Sequence, residues 1–228
     1  MYNIDIEFRG CNMKNIEVKR IESKESYDFL LNKHYAGRIP SISYAFGLYI
    51  NNVIEGVLTI GKPASNSLCK GVCGIEYSNK VYELNRLVVN DGLERNTLSF
   101  FVSRVLRSLK EEDLILVSYA DTGMKHCGYI YQATNWIYTG ATRERTDKYV
   151  PLGKHSRHYT DENQHLRIVR TSKHRYIYFT GKSRKKFLKN LNYPIVTKYP
   201  KIDYSTYELG TKIKRKVLNK NTKETWYE

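Results

Sequence analysis

The chain of 228 residues is 41% hydrophobic and carries 38 Lys and Arg against 23 Asp and Glu, for a formal net charge of +15: a folded protein able to bury one sizeable core, with or without an extension. No apolar run approaches the roughly 18 residues a membrane span needs. The four cysteines, Cys11, Cys69, Cys73 and Cys127, follow no charged-then-apolar leader, which predicts thiols in a reducing, cytosolic compartment and argues against a secreted disulfide framework.

After a polar start, "SYDFLLNKHYAGRIP" predicts a helix that ends before Pro40, with Gly37 available for a left-handed stop and His34 and Tyr35 facing a loop. "ISYAFGLYI" and "EGVLTIG" read as strands joined by an Asn51-Asn52 hairpin turn. Residues 63–80 have the composition of a loop. "VYELNRLVV" alternates as a strand, with Glu83 and Asn85 on the face opposite Leu84 and Arg86. From Asn96 the apolar residues Leu98, Phe101, Val102, Val105, Leu106 and Leu109 recur every three or four positions, an amphipathic helix of about 14 residues capped by Asn96 or Thr97. "LILVSYAD" is an apolar strand for the middle of a sheet, followed by a short helix at 128–135 and the strand "WIYTGAT".

Beyond residue 142 a polar excursion leads to the strand "HRYIYFTG", a short basic helix "KSRKKFLKNLNYP" and, from Asp203, a loosely ordered basic tail. This divides the chain into a core, 1–142, and a basic extension, 143–228, packed on the core or continuous with it. Residues 1–140 hold 16 Lys and Arg against 15 Asp and Glu, whereas the last 88 hold 22 against 8, a net +14. Such concentrated charge is a footprint for phosphates, with Arg143, Arg145, Lys173, Arg175, Lys182, Arg184, Lys185 and Lys186 as contacts; a solvated surface has the same composition.

The loop "NDGLERNTLS" joins a strand to a helix, so its N–H groups can cradle a pyrophosphate, as at any such helix start. Asp121 ends a central strand, where open sheets place functional groups, and it also suits a turn cap. His34 fits a site or a helix end, and Arg86 an anion or a paired sheet position. "CKGVC" has neither the spacing nor the second pair of a zinc finger.

The order helix, two strands, strand, helix, strand, short helix, strand, together with "HCGYIYQATNWIYTG", resembles an acyl-CoA N-acyltransferase of the GNAT type. A closer resemblance, over about residues 30–200, is to the phage Mu Mom family of DNA adenine-modification proteins. It is carried by "HYAGRIPSISYAFGLY", "ELNRLVV", "RNTLSFFVSR", "SYAD", "YIYQATNWIYTG" and "KHRYIYF". The resemblance implies a GNAT-like α/β fold and modification of adenine N6 in phage DNA, protecting it from restriction. The product it implies is a carbamoylmethyl (acetamido) adenine, and the substrate duplex DNA with the adenine flipped out.

It further implies a catalytic set of His34, Tyr35, Arg86, Ser99, Asp121 and Tyr131, with Asp121, His34 or Tyr131 accepting the N6 proton. Val88, Arg95, Asn96, Thr97 and Tyr131 would hold acetyl-CoA or a related donor, although Gly92 is the one glycine left of the superfamily's glycine-rich loop. An iron bound by His34, Asp121 and Tyr131 is a further implication. An ordinary N-acetyltransferase and a catalytically silent DNA-binding protein remain as alternatives.

Overall fold

The computed structural model describes residues 15–151, 159–201 and 214–228. Cys11, His155, His158 and the 203–213 part of the predicted tail lie outside them. The described strands are β1 (Ile16–Arg20), β2 (Tyr44–Ile50), β3 (Val53–Gly61), β4 (Val81–Val89), β5 (Ile115–Asp121), β6 (Ile137–Ala141), β7 (Arg145–Lys148), β8 (Leu166–Arg170), β9 (Lys173–Phe179), β10 (Lys216–Asn219) and β11 (Thr225–Tyr227). A seven-stranded sheet has the order β1-β2-β3-β4-β5-β9-β6 and a four-stranded sheet the order β11-β10-β8-β7. The helices are α1 (Asn66–Cys73), α2 (Thr97–Ser108), α3 (Tyr129–Ala133) and α4 (Arg184–Lys189).

The β2–β3 hairpin forms as predicted, with Asn51 and Asn52 both left-handed at φ 51° and 65°, as a tight turn matched to strand twist requires. Between β3 and β4 the pairing runs Gly61↔Glu83, Ile60↔Leu84 and then Thr59↔Arg86, leaving Asn85 as an extra residue. Side chains alternate along a strand, so one inserted residue moves everything after it to the other face. Arg86 therefore shares a face with Glu83, which corrects the predicted opposition. Thr59 Oγ1 donates to Asn85 Oδ1 at 2.7 Å, and Asn85 Nδ2 donates to Ser41 O at 2.8 Å, pinning the bulge.

One sheet face carries Leu58, Ile60, Leu84 and Leu116 against Phe101, Val102 and Val105 of α2 and Tyr131 of α3. On the other, Val81, Ile115, Val117 and Ile177 pack on α1 and Phe187 of α4, while Val57 and Val88 pack on Phe29 and Leu30. Phe29 and Leu30 belong to a π-helical turn, Phe29–Lys33, which replaces the predicted regular helix; Gly37 is left-handed as expected.

Three predicted irregular stretches are ordered. Residues 63–80 hold α1 and a 3-10 turn, Ile75–Lys80, because Ser65 caps a short apolar stripe through Leu68 N. The polar excursion holds β7, and the tail holds β10 and β11, whose Val217 is fully buried. These strands of four and three residues pair with β8 and each other, too short a period to show in sequence. Residues past 142 also supply β9, which lies between β5 and β6 inside the main sheet. The edge of the core thus does not coincide with the shift in charge at residue 142.

Candidate active site

β4 and β5 are parallel and pair over only three rungs, from Val81↔Ile115 to Glu83↔Val117, although β4 continues to Val89. Where the ladder stops, a cavity of about 430 Å³ opens. Leu84, Leu98, Ile130 and Tyr131 wall it from the α2–α3 face. His34, Tyr35, Glu83, Arg86, Tyr119 and Lys173 wall it from the opposite face, and His126 and Cys127 from the turn before α3. The missing hydrogen bonds between two parallel strands thus give a site walled from both faces.

At the end of the ladder, Ser118 Oγ bridges the Leu84 carbonyl, 2.8 Å, and the Tyr131 hydroxyl, 2.7 Å. Burial pushes the Tyr131 phenol up to about 12, against the lowering effect of the Ser118 contact, so it keeps its proton at neutral pH. Tyr131 is seated by rings of Trp136 and Tyr176, each with its centroid 5.1 Å away. The polar character of α3 is explained by Gln132, whose Nε2, with two hydrogens to donate, sits within hydrogen-bond reach of Cys127 O, Tyr176 Oη and Pro200 O. Gly128 opens α3 at φ 77°, and a Cβ there would meet the Tyr176 ring at 2.3 Å. Gly128→Ala is expected to cost about 2–3 kcal/mol in urea denaturation, from strain and overpacking together; an unchanged midpoint would show that α3 shifts freely.

The three residues predicted to accept a proton are committed elsewhere. His34 Nδ1 accepts the Ala36 N–H at 3.0 Å, which leaves the proton of the neutral ring on Nε2. Asp121 Oδ1 accepts from Thr171 Oγ1 at 2.5 Å and from Gly123 N at 2.9 Å, and Oδ2 pairs with Lys173 Nζ at 3.0 Å. Burial raises the Asp121 carboxyl, but Thr171, Lys173 and Gly123 together hold it below the usual carboxylate range. Both of its oxygens are used, and it is absent from the cavity wall. Tyr131 is already protonated.

Glu83, unmarked in the sequence reading, is the carboxylate that lines the cavity. Burial raises its pKa, opposed by the charges of Arg86, Lys173 and Arg38. Burial and the nearby Arg38 lower that of Arg86, whose Nη1 donates to Asn85 O at 2.6 Å while its buried Nε has no partner. His126, also missed, has its pKa lowered by burial against the pull of Asp121, and its ring meets Tyr35 edge-on at 6.0 Å. A carboxylate and an amide inside the apolar run "VYELNRLVV" were the available signal for Glu83.

The profile of the Mom protein family matches residues 15–201. The chain belongs to the Mom protein family. It is 28% identical over 210 residues to the methylcarbamoylase mom of Escherichia phage Mu, covering 84% of this chain and 86% of that one. Among solved structures it is similar to an N-acetyltransferase from Staphylococcus aureus Mu50, at 12% identity and a TM-score of 0.44, over 73% of this chain and 99% of that one. It is also similar to the putative acetyltransferase yncA of Salmonella typhimurium with acetyl-CoA, at 10% identity and a TM-score of 0.43, over 73% and 94%. The sheet is mixed, with helices on both faces.

In this Mom-family chain the predicted donor-binding residues divide. Val88 is buried in the core against Val57, so its side chain is unavailable to a donor. Arg95 is exposed, and Asn96 stands left-handed at φ 72° before α2 without capping it. Ser99 Oγ donates back to Asn96 O at 2.9 Å and is absent from the cavity wall, a local helix contact in place of the predicted catalytic role. Thr97 is buried, and its hydroxyl has no partner among the described residues. α2 thus starts without a side-chain cap, and its second residue, Leu98, is on the cavity wall.

The predicted iron set does not fit: both Asp121 oxygens are engaged and Asp121 does not share the cavity wall with His34 and Tyr131, while His34 Nδ1 is held by Ala36. No cluster of His, Cys, Asp or Glu suited to a metal occurs among the described residues. The basic residues predicted to meet DNA also separate. Lys173 and Arg175 begin β9 beside the cavity, whereas Lys182, Arg184, Lys185 and Lys186 follow its other end, about 20 Å away by strand rise. Arg143 is exposed just beyond β6, and Arg145 lies 3.7 Å from Asp147.

Proposed function

We propose that this Mom-family enzyme modifies adenine N6 in DNA, with Glu83 accepting the N6 proton and Tyr131 holding a proton for the leaving group. The cavity between β4 and β5 carries the reading, because Glu83 and Tyr131 enter it from opposite faces of the sheet. An exocyclic adenine amine is a weak nucleophile, its lone pair delocalised into the ring, so it needs a base and a fixed pose. Glu83, with a raised pKa among cations, is suited to that task. Arg86 brings a guanidinium to the cavity wall, where it stabilises developing negative charge. His34, as an Nε2–H donor, and Tyr35 orient the base. A duplex hides this amine, so the adenine must be flipped out, at a cost of a few kcal/mol.

An acyl-CoA-type donor would have to carry the group as an S-methylcarbamoyl thiocarbamate, because a plain acetyl thioester holds no nitrogen and would give only an acetyl adduct; the α2 amides would hold its phosphates. The phage relative is named a methylcarbamoylase, and this chain is proposed to attach the same group. Methylcarbamoyl and the carbamoylmethyl group suggested by sequence are isomers, so intact mass cannot separate them. Fragmentation does, because an N-methylurea releases methyl isocyanate and an N-alkyl glycinamide does not. The test is mass spectrometry of nucleosides from plasmid DNA of cells expressing the chain. A new adenosine species that loses methyl isocyanate is expected, and a simple acetyl adduct or unmodified adenine from well-expressed protein would overturn the assignment.

A further inference from the structure

The small sheet is rooted at the cavity. Its entry from β6 is tied by Thr142 N donating to Lys173 O and Lys173 N donating to Thr142 Oγ1, both at 2.9 Å. Its exit is tied by Thr171 to Asp121 and by Thr122, whose N and Oγ1 both donate to Ser172 O. Lys173, between these ties, is itself part of the cavity wall. Whatever the small sheet binds is therefore held beside the site.

Its two faces differ. The row Asp147↔Ile168↔Val217↔Trp226 lies on one face, where Ile168 and Val217 are buried and Arg170 and Arg145 converge on Asp147, at 2.8 and 3.7 Å. Both arginines on that face share a carboxylate partner. The other face consists of the rows Thr146↔Val169↔Lys216↔Tyr227 and Lys148↔Arg167↔Leu218↔Thr225. Three of its eight side chains are cationic and none is acidic. Arg167 Nη1 donates to the Gln164 and Leu166 carbonyls, which fixes it without neutralising it, and Tyr227 is 64% exposed.

We propose that this acid-free face docks the sugar-phosphate backbone of duplex DNA flanking the flipped adenine, with Lys148, Arg167 and Lys216 meeting its phosphates. It rests on DNA being the substrate. The pattern suits a backbone: cations on three neighbouring strands, threonine hydroxyls on the two edge strands, and no carboxylate among the eight side chains to repel phosphate. It also assigns the +14 of the C-terminal segment unequally, since α4 lies at the far end of β9 and its Lys186 faces Glu76.

The experiment is fluorescence anisotropy of the full chain on a labelled duplex over a salt series. The triple variant Lys148→Gln/Arg167→Gln/Lys216→Gln is expected to bind at least about tenfold more weakly at moderate salt. Its log–log salt slope should fall by about two to three, near 0.9 for each phosphate no longer neutralised. Lys148→Arg/Lys216→Arg, which keeps the charge, is expected to bind as the parent, and Lys182→Gln/Arg184→Gln/Lys185→Gln to change neither quantity. A triple variant with parental affinity and slope would overturn the docking face, as would a larger loss from the α4 variant. If the parent binds duplex through this face yet leaves plasmid adenine unmodified, the docking stands and the enzymatic reading falls. If adenine is modified while the triple variant binds unchanged, the docking falls alone.

Discussion

Glu83→Gln is expected to lower adenine modification by about 100-fold or more, the usual range for removing a general base, while duplex binding is unchanged. Burial, only partly offset by Arg86, Lys173 and Arg38, sets the pKa of Glu83 above the ordinary glutamate range. A base must be ionised, so the parent rate should rise with pH through that raised value and level off, and this limb should vanish in the variant. Stability moves the other way. A carboxyl whose folded pKa is raised contributes stability below its unfolded pKa and loses it as pH rises through the folded one. Ionised Glu83 therefore opposes folding at neutral pH, and Glu83→Gln is expected to melt at or above the parent temperature. Loss of activity with loss of stability would point to a damaged fold and against a base.

Asp121→Asn tests the opposite assignment. Asp121 joins the end of β5 to Thr171 and Lys173 across the root of the small sheet. Removing its charge is expected to cost about 1–3 kcal/mol in urea denaturation, discounted because Lys173 is partly exposed. Its folded pKa is depressed, so its stability contribution is present above the unfolded value of about 4 and is lost as pH falls through the folded one. The parent should weaken in that acid window and the variant should not. Modification should fall, because Lys173 and the small sheet lose their anchor, yet the pH limb assigned to Glu83 should remain. Disappearance of that limb in Asp121→Asn, with Glu83→Gln near parental activity, would make Asp121 the base.

These assignments show where sequence reading stops. His34, Tyr35, Arg86 and Tyr131 could be picked out in the sequence as candidates, and they line one cavity. Ser99 and Val88 looked equally eligible, but a hydroxyl three residues into a helix finds its own backbone, and a valine paired with Val57 goes to the core. Asp121 was in the right place with the wrong partners, because Thr171, fifty residues on, reaches it only through strand pairing.

The sequence by itself determined what depends on local period and composition. The Asn51-Asn52 hairpin, the stripe of α2, the strands β4, β5, β6 and β9, the charge asymmetry and the Mom-like segments all belong there. Tertiary structure alone decided what depends on register and on distant pairing. One extra residue, Asn85, brings Arg86 to the face of Glu83, since the side-chain period of a strand is two and a single insertion inverts it. Three rungs between parallel strands, and no fourth, open the cavity. A tail without visible period becomes two strands because β8, some fifty residues earlier, offers an edge to complete.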